Sequence, residues 1–223
     1  MEVKSTKSKV ENIKTTKVKT LIWDKKGLKL IDQRKLPFKE IYVNCKTSED
    51  VADAIKNMIV RGAPAIGVTA AYGAALAAME YKGNSKNKFT EFVLKKMDLI
   101  SGTRPTAVNL FWSIERMKKV LSDNKHLQIE EIKNKLIEEA ELIERQDYAI
   151  NCRLGENGAK IFSKSKKKLK ILTHCNAGAL ATAGYGTALG VIRSLFKQSK
   201  VAKVIVGETR PYLQGARLTA WEL

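Results

Sequence analysis

The residues with the clearest potential for chemistry lie around Cys175. The apolar run Ile171-Leu172-Thr173 leads through His174 into Cys175, followed by Asn176-Ala177-Gly178. This order predicts a buried strand that ends in a tight turn before a helix, and ligands of open α/β sheets bind beyond the carboxyl ends of such strands. A thiol there, beside the N–H groups that begin a helix, is placed to meet an anion and to react. The alternative is a buried thiol that only fills space, the common role of a free cysteine.

The neighbours of Cys175 in the sequence offer it no catalytic partner. Adjacent side chains on a strand point to opposite faces, so His174 is interpreted as structural. The other cysteines, Cys45 and Cys152, make an odd total of three without tight spacing. This pattern argues against a disulfide framework or a zinc site and predicts a reducing, cytoplasmic location.

Two other loops each place an arginine just before a predicted helix. They are Arg61-Gly62-Ala63-Pro64 and Gly102-Thr103-Arg104-Pro105. An arginine together with the N–H groups of a helix N-terminus makes a phosphate site. The alternative is that both loops are ordinary turns with solvated arginines.

A polar loop after the next predicted strand reaches the same sheet edge as Cys175. It brings Glu208, Arg210 and Gln214 there, where groups that recognise hydroxyls are expected. A rival interpretation is the glycine pattern of Gly184, Gly186 and Gly190, which imitates a dinucleotide-binding fingerprint. We expect these glycines inside a helix over residues 180–196, where they serve packing, so nicotinamide binding is disfavoured.

Periodicity divides the chain into two regions with different patterns. Hairpin strands over residues 18–23 and 27–31, with a third at 41–44, precede a series of mostly amphipathic helices. The Thr47–Asp50 capping box starts one helix, residues 63–79 form a buried central helix, Thr90 caps the next, and a long helix over 128–162 has a possible break near Asn151. From residue 169 the order becomes strand, helix, strand and, from about Leu213, helix, which predicts the start of a parallel βαβα sheet. We therefore expect an α/β protein with a basic disordered tail (1–17), an N-terminal hairpin and helical domain (18–163), a linker (164–168) and a second, incomplete domain (169–223).

Charge and hydropathy limit the function classes. The 223 residues carry 41 Lys and Arg against 23 acidic residues, a formal charge of +18 that favours anionic partners. The lysine clusters at the N-terminus and at 164–170 lack interleaved aromatic residues, which argues against a nucleic-acid surface. No apolar signal segment follows the basic N-terminus, and the most apolar stretch, residues 63–79, falls short of the roughly 20 residues that span a bilayer.

Four motifs in order, from Arg61-Gly62-Ala63-Pro64-Ala65-Ile66-Gly67 through the Arg104 and Cys175 loops to Gln214-Gly215-Ala216-Arg217, resemble one family. That family is the methylthioribose-1-phosphate isomerases, related to the alpha, beta and delta subunits of translation initiation factor 2B. The resemblance covers residues 21–223. It implies a small sheet and helical bundle followed by a Rossmann-like domain, a cytoplasmic homodimer, and neither a cofactor nor a metal.

The resemblance also implies roles for individual residues in the isomerisation of 5-methylthioribose 1-phosphate, a step of methionine salvage. Arg61, Gly62, Ala63 and Arg104 would bind this phosphorylated pentose, Gln214 its hydroxyls, and Cys175 would stabilise the transition state at the reacting carbons. The family's proton-donor aspartate and a following Asn-Lys pair lie beyond Leu223 in family order. We therefore expect a C-terminally truncated chain that is inactive by itself.

Four alternatives stay open at this point. Isomerases of ribose 1,5-bisphosphate and of 5-deoxyribose 1-phosphate act on sugars that differ from methylthioribose 1-phosphate only in the group at C5. The four motifs do not indicate which group is bound there. A non-catalytic regulatory subunit of the initiation factor 2B type shares the fold but needs no phosphate clamp beside Cys175. A nucleic-acid binder ranks last.

Overall fold

The computed structural model describes residues 18–24 and 26–223, and begins with a small antiparallel sheet. Strands β1 (Leu21–Trp23), β2 (Leu28–Ile31) and β3 (Tyr42–Cys45) lie in sequence order. Leu21 pairs with Leu30, and Leu30 with Val43, so the predicted hairpin and third strand are confirmed, the latter one residue later than expected. The predicted tail, residues 1–17, lies outside the described residues.

Five helices follow and form the main core around one of them. They are α1 (Ser48–Lys56), α2 (Ala63–Glu80), α3 (Lys86–Ser101), α4 (Val108–Asp123) and α5 (Ile129–Lys160). Helix α2 packs against all four others, and every residue from Ala65 to Ala78 is buried. Its alanines and glycines let neighbours approach closely: a Cβ on Gly73 would lie 2.7 Å from Val51 Cγ1. The predicted central helix is confirmed.

One of the two predicted helix caps is confirmed and the other is wrong. The Thr47–Asp50 capping box forms as expected, and α1 ends at Lys56, shortly before Met58, which adopts a left-handed conformation (φ 57°). Ser85, not Thr90, caps α3; Thr90 lies inside the helix and donates to the Lys86 carbonyl.

Helix α5 also differs from expectation, because it runs unbroken through Asn151. The buried side-chain amide of Asn151 donates to the carbonyl of Asp147 in the same helix, at 2.8 Å. The amide therefore has a hydrogen-bond partner while the helix continues.

The second region is built on two parallel strands, β4 (Leu169–Thr173) and β5 (Val201–Val206), joined through helix α6 (Ala188–Lys197). The predicted helix over 180–196 therefore begins too early. A short 3₁₀ turn, Ala179–Ala181, and a loop containing Gly184 (φ 150°) and Gly186 (φ 87°) come first. Our placement of these two glycines inside a helix was wrong. A Cβ on Gly186 would lie 2.5 Å from Gly178 Cα, so the loop packs on itself rather than around a ligand.

A wide π-helical turn, Gln214–Thr219, follows β5 and continues into the short helix α7 (Ala220–Glu222). The second region contacts the first through α5 and α6 and through a small apolar cluster of Ile31, Leu36, Leu180 and Leu218. Two side-chain bonds reinforce this contact, from Thr20 Oγ1 to the Ala179 carbonyl at 2.5 Å and from Gln33 Nε2 to the Leu180 carbonyl at 2.7 Å.

The predicted mixed α/β class is confirmed, with a three-stranded antiparallel sheet, a helical bundle and a separate two-stranded parallel sheet. Residues 161–168 connect α5 to β4 and include the predicted linker, residues 164–168. Of the helices in the described part of the chain, none is long and apolar enough to cross a membrane.

Candidate functional site

Cys175 lies two residues after the end of β4, and its backbone has a strained conformation. Its φ of 60° is left-handed, which costs a non-glycine residue about 1–2 kcal/mol. The Cys175 N–H donates to Thr209 Oγ1 at 2.9 Å, and its carbonyl accepts from Thr219 Oγ1 at 2.6 Å. Thr209 and Leu213 on the same edge are also left-handed. Such outliers cluster at functional sites, because only a strongly determined surrounding maintains them.

The helix N-terminus that we predicted behind Cys175 lies elsewhere, since α6 begins only at Ala188. The N–H groups of Ala179 and Leu180 do face an anion, but it is the buried carboxylate of Glu222, at 2.7 and 3.0 Å. The chain therefore fills this anion position with its own side chain. These two N–H groups are therefore not open to an external anion.

Arg61 links the first region to the Cys175 edge. With the Gln214 amide oriented to satisfy both neighbours, its oxygen accepts from Arg61 Nη2 at 2.6 Å and its nitrogen donates to the Thr209 carbonyl at 3.0 Å. The Arg61 guanidinium also lies 5.4 Å from the centre of the Tyr212 ring. Arg61, Gln214 and the Cys175 loop, distant in sequence, thus form one cluster.

The pKa of Arg61 reflects its burial and the charges that act on it. Its pKa is lowered, first by burial; the Cys175 thiol opposes this, while the positive charges of Arg217 and Arg104 add to it. A half-buried arginine among other cations is poorly compensated by the protein itself. An anion such as phosphate would relieve this repulsion.

Gly62 and Ala63 place the N-terminus of α2 beside this cluster. Gly62 has φ 93°, and a Cβ on it would overlap the backbone of Ala181, so the close approach of the two regions requires glycine. In the described part of the chain, no side chain caps α2. The first N–H groups of a helix that lacks a side-chain cap are available to an anion.

Arg104 lies in the loop before α4, half-buried, where its carbonyl accepts from the Ala107 N–H at 3.0 Å. Its positive charge adds to the lowering of the Arg61 pKa. Hydrogen bonds join Arg61, Gln214 and the Cys175 loop, and Gly62 and Ala63 follow Arg61 in the chain, whereas Arg104 is related to this cluster through its charge alone.

Other candidates lie outside the cluster or serve the fold. His174 is exposed, and Glu208 pairs with the exposed Arg210 at 3.0 Å. Asp147 accepts from the Ala183 N–H at 2.7 Å, and burial raises its pKa. Cys45 is fully buried, which raises its pKa to about 12.

All three cysteines are free thiols. Within residues 18–24 and 26–223, no group of three or more His, Cys, Asp or Glu side chains is arranged to hold a metal ion.

Sequence reasoning missed the residues that support the cluster: Thr209, Tyr212, Thr219 and Glu222. Thr219 and Glu222 are three residues apart, which is the spacing of neighbours on one helix face. That spacing is a weak signal, and nothing in it indicates contact with Asn176, about forty positions earlier. Arg217 was visible in the motif, but its contacts with the carbonyls of residues 33–36 were not.

A pocket of about 490 Å³ adjoins the cluster. Pro64, which follows Ala63, and Thr187, whose N–H donates to the Ala177 carbonyl at 2.9 Å, line two of its sides. Most of the remaining wall is apolar, including Val68, Val108 and Trp112. None of Arg61, Arg104, Cys175 or Gln214 lines it, so the pocket is separate from the cluster and is related to it through Pro64.

Solved structures similar to this chain carry two different names. It aligns with a crystal structure of 5-methylthioribose 1-phosphate isomerase from Pyrococcus horikoshii at a TM-score of 0.87 and 42% identity, over 93% of this chain and 57% of that one. It also aligns with translation initiation factor eIF-2B, subunit delta, from A. fulgidus at a TM-score of 0.83 and 46% identity, over 92% and 59%.

Two curated relatives are both named methylthioribose-1-phosphate isomerase. The protein from Thermotoga neapolitana is 54% identical over 207 residues, which are 93% of this chain and 58% of the relative. The protein from Nostoc punctiforme is 49% identical over 94% of this chain and 59% of the relative. The chain thus spans somewhat under three fifths of the length of these relatives.

A model of the initiation factor 2 subunit family matches residues 59–223, which include every residue of the Arg61, Arg104, Cys175 and Gln214 cluster. With relatives of this similarity along nearly all of its length, the chain belongs to the initiation factor 2 subunit family.

Proposed function

We propose that this chain carries the substrate-binding part of an aldose–ketose isomerase that acts on 5-methylthioribose 1-phosphate. The hydrogen bond from Arg61 to Gln214 is the observation that supports it most, because it joins the predicted phosphate loop to the Cys175 edge. The curated relatives carry this activity in their names. The activity would serve methionine salvage.

In this proposal the phosphate binds among Arg61, Arg104 and the first N–H groups of α2 at Gly62 and Ala63. Two cations and a helix N-terminus compensate its charge, and burial of Arg61 strengthens the attraction. The phosphate stays on C1 throughout, so it can serve as a fixed handle that orients the reacting carbons.

The chemistry opens the sugar ring and moves hydrogen between C2 and C1, which requires proton transfer and stabilisation of the charge that develops on oxygen. We assign Gln214 to the sugar hydroxyls. We place the Cys175 thiol at the reacting carbons, where its fixed backbone holds it in one position while charge develops. The carboxylate that moves the proton is not assigned to a residue of this chain. No step assigned here calls for a metal or nicotinamide.

The neighbouring pocket favours a methylthio group at C5 over a second phosphate. Its lining includes no Lys, Arg or His, and its one acidic residue, Asp147, would repel an anion. Methylthioribose 1-phosphate should bind more tightly than 5-deoxyribose 1-phosphate, and ribose 1,5-bisphosphate most weakly. Trp112→Ala should reduce the preference for the methylthio compound, since it removes apolar wall. Tighter binding of the bisphosphate would refute this choice of substrate.

Calorimetric titration of the chain with methylthioribose 1-phosphate tests the proposal. Arg61→Ala should weaken binding about 10- to 100-fold, the loss expected for charge-assisted hydrogen bonds. Arg210→Ala is the matched control, because Arg210 is exposed on the same edge and pairs only with the surface residue Glu208. The same affinity in Arg61→Ala and in the unmodified chain would contradict the phosphate clamp.

A regulatory role is the second candidate, supported by the structural similarity to the eIF-2B delta subunit. It predicts no specific binding of the sugar phosphate, so the same titration separates the two. Homodimer formation and a cytoplasmic location stay predictions of the resemblance.

A further inference from the structure

The most completely satisfied charged group near Cys175 is Glu222, which the proposed reaction does not use. Its carboxylate side chain is fully buried. Buried carboxylates are costly unless paired, so each of its contacts carries weight.

Each carboxylate oxygen of Glu222 accepts two hydrogen bonds. Oε1 accepts from Asn176 Nδ2 at 2.9 Å and from the Leu180 N–H at 3.0 Å. Oε2 accepts from the Ala179 N–H at 2.7 Å and from Arg193 Nη2 at 2.8 Å. Three of the four donors belong to the Cys175 loop or follow directly upon it, and the fourth, Arg193, lies on α6.

The three donors from the loop segment are Asn176 and the two amides at 179 and 180. Asn176 is the residue after Cys175, and its amide also donates to Thr219 Oγ1 at 3.2 Å. Thr219 Oγ1 in turn donates to the Cys175 carbonyl. A chain of three short contacts therefore runs from the Glu222 carboxylate to the backbone of Cys175.

We infer that Glu222 is a positioning residue that fixes the Cys175 thiol through Asn176, Thr219 and the 179–180 amides. The strained φ of Cys175 supports this, since such a conformation persists only where neighbours enforce it. Here the conformation is held by the Glu222 carboxylate, which binds the loop, and by Thr209, which accepts from the Cys175 N–H. An exchange of Glu222 should therefore release the thiol locally, before the rest of the fold is affected.

Two substitutions disrupt the hydrogen bonds of Glu222, one at the carboxylate and one in the loop that binds it. In Glu222→Gln the new NH₂ group faces two donors whichever way the amide turns, so two of the four bonds are lost. In Gly178→Ala the new Cβ overlaps the Glu222 carboxylate itself, while the Gly178 φ of −105° suits alanine. Glu138→Gln, on the exposed face of α5, removes the same charge as a matched control.

The measurement is the rate at which iodoacetamide labels each cysteine of the folded chain, read by peptide mass spectrometry. Cys175 reports on the loop, Cys152 on α5 and the fully buried Cys45 on the core of the first region. We expect Cys175 to be labelled about tenfold faster in both network variants, with Cys152 and Cys45 unchanged, because loss of charge-assisted bonds lowers the free energy of local opening. Glu138→Gln should match the unmodified chain.

The inference is overturned if the ratio of Cys175 to Cys152 labelling stays within about threefold of the unmodified chain, which indicates that no local opening has been released. It is overturned equally if Cys45 becomes labelled along with Cys175 in both variants, since Glu222 would then stabilise the whole fold. If Glu222→Gln alone exposes Cys45, the result with Gly178→Ala decides. The catalytic meaning of this positioning rests on the proposed function, but the labelling needs no substrate and stands even where no sugar phosphate binds.

Discussion

The helical region before residue 164 and the region that begins at β4 are stabilised in different ways. In the first region, apolar side chains from the small sheet and from α1 to α5 form one continuous core around α2. In the second, side chains bind backbone atoms across long sequence separations: Glu222 to Ala179, Thr219 to Cys175, and Arg217 to Leu36. The candidate site lies where the two regions meet.

This difference separates stability from positioning. An apolar core tolerates small shifts, because packing is non-directional, whereas a hydrogen bond to a backbone atom fixes both distance and angle. Arg61 and the α2 N-terminus come from the apolar region, and the thiol and Gln214 come from the polar one. Variants of the first region should thus change the free energy of unfolding, and variants of the second should change the geometry of the site.

The largest expected effect is in the core of the first region. Ile114→Ala on α4 removes a fully buried side chain and should lower the free energy of unfolding by about 2–5 kcal/mol. Leu99→Ala, whose side chain is 47% exposed on α3, is the control and should cost about 1 kcal/mol or less. Urea unfolding followed by circular dichroism measures both. Equal losses would show that this region does not depend on its buried core.

The next effect is at the contact between the regions. Gly62→Ala adds a Cβ that overlaps Ala181 and forces alanine to adopt φ 93°, which by itself costs about 1–2 kcal/mol. We expect this loss in unfolding and, in titration, weaker binding of methylthioribose 1-phosphate. Gly102→Ala is the control, because a Cβ there meets only atoms at 3.6 Å and its φ is −70°. Normal binding by Gly62→Ala would contradict the close approach.

A smaller effect is expected from Arg217, whose guanidinium donates to the carbonyls of Leu36, Arg34 and Gln33 at 2.7, 2.9 and 3.2 Å. Lysine keeps the charge but lacks the planar fork, so Arg217→Lys should cost about 1 kcal/mol in unfolding. It should also weaken binding, because Gln214 lies on the same turn. Arg210→Lys, exposed on the preceding loop, should change neither quantity. If Arg210→Lys has an equal effect, the fork is not the cause.

The smallest effect is a pH dependence from two carboxyls on α5. Burial raises the pKa of Glu144, despite its hydrogen bond from Tyr72, and burial also raises the pKa of Asp147. Because the folded state holds these protons more tightly, their contribution to stability is present at low pH. It is lost as the pH rises from the ordinary carboxyl range through the raised values.

Melting temperatures measured across this pH range test the two carboxyls. Glu144→Gln and Asp147→Asn should each flatten the decline, and Asp147→Asn should keep the Ala183 bond through its remaining oxygen. Glu138→Gln, exposed on the same helix, should leave the slope as it is. A melting temperature that falls more steeply with pH in Glu144→Gln or in Asp147→Asn would contradict a raised carboxyl pKa in the folded state.

The two regions also differ in how far the sequence predicts them. The capping box at Thr47, the apolar run of α2 and the hairpin around β1 and β2 come from local patterns, and the structure has all three. The predictions for the start of α6 and for Gly184 and Gly186 were wrong, because this loop packs on Gly178 and on the distant residue Tyr148, and neither contact has a signature in the local pattern. The six candidate site residues come from family resemblance and from the chemistry of their types, and their roles stay predictions. The residues that support the cluster, such as Glu222, were not predicted, because no local sequence pattern indicates a buried carboxylate.

The π-helical turn at Gln214–Thr219 constrains the number of residues in this segment more than their types. Such a turn holds one residue more than the α-helical frame around it. Deleting a single residue there would rotate everything before it by about 100° relative to α7. Gln214 would then turn away from Arg61 while Thr219 and Glu222 stayed with the Cys175 loop. In evolutionary terms this segment can exchange side chains gradually, but it cannot change its number of residues without separating the two halves of the site.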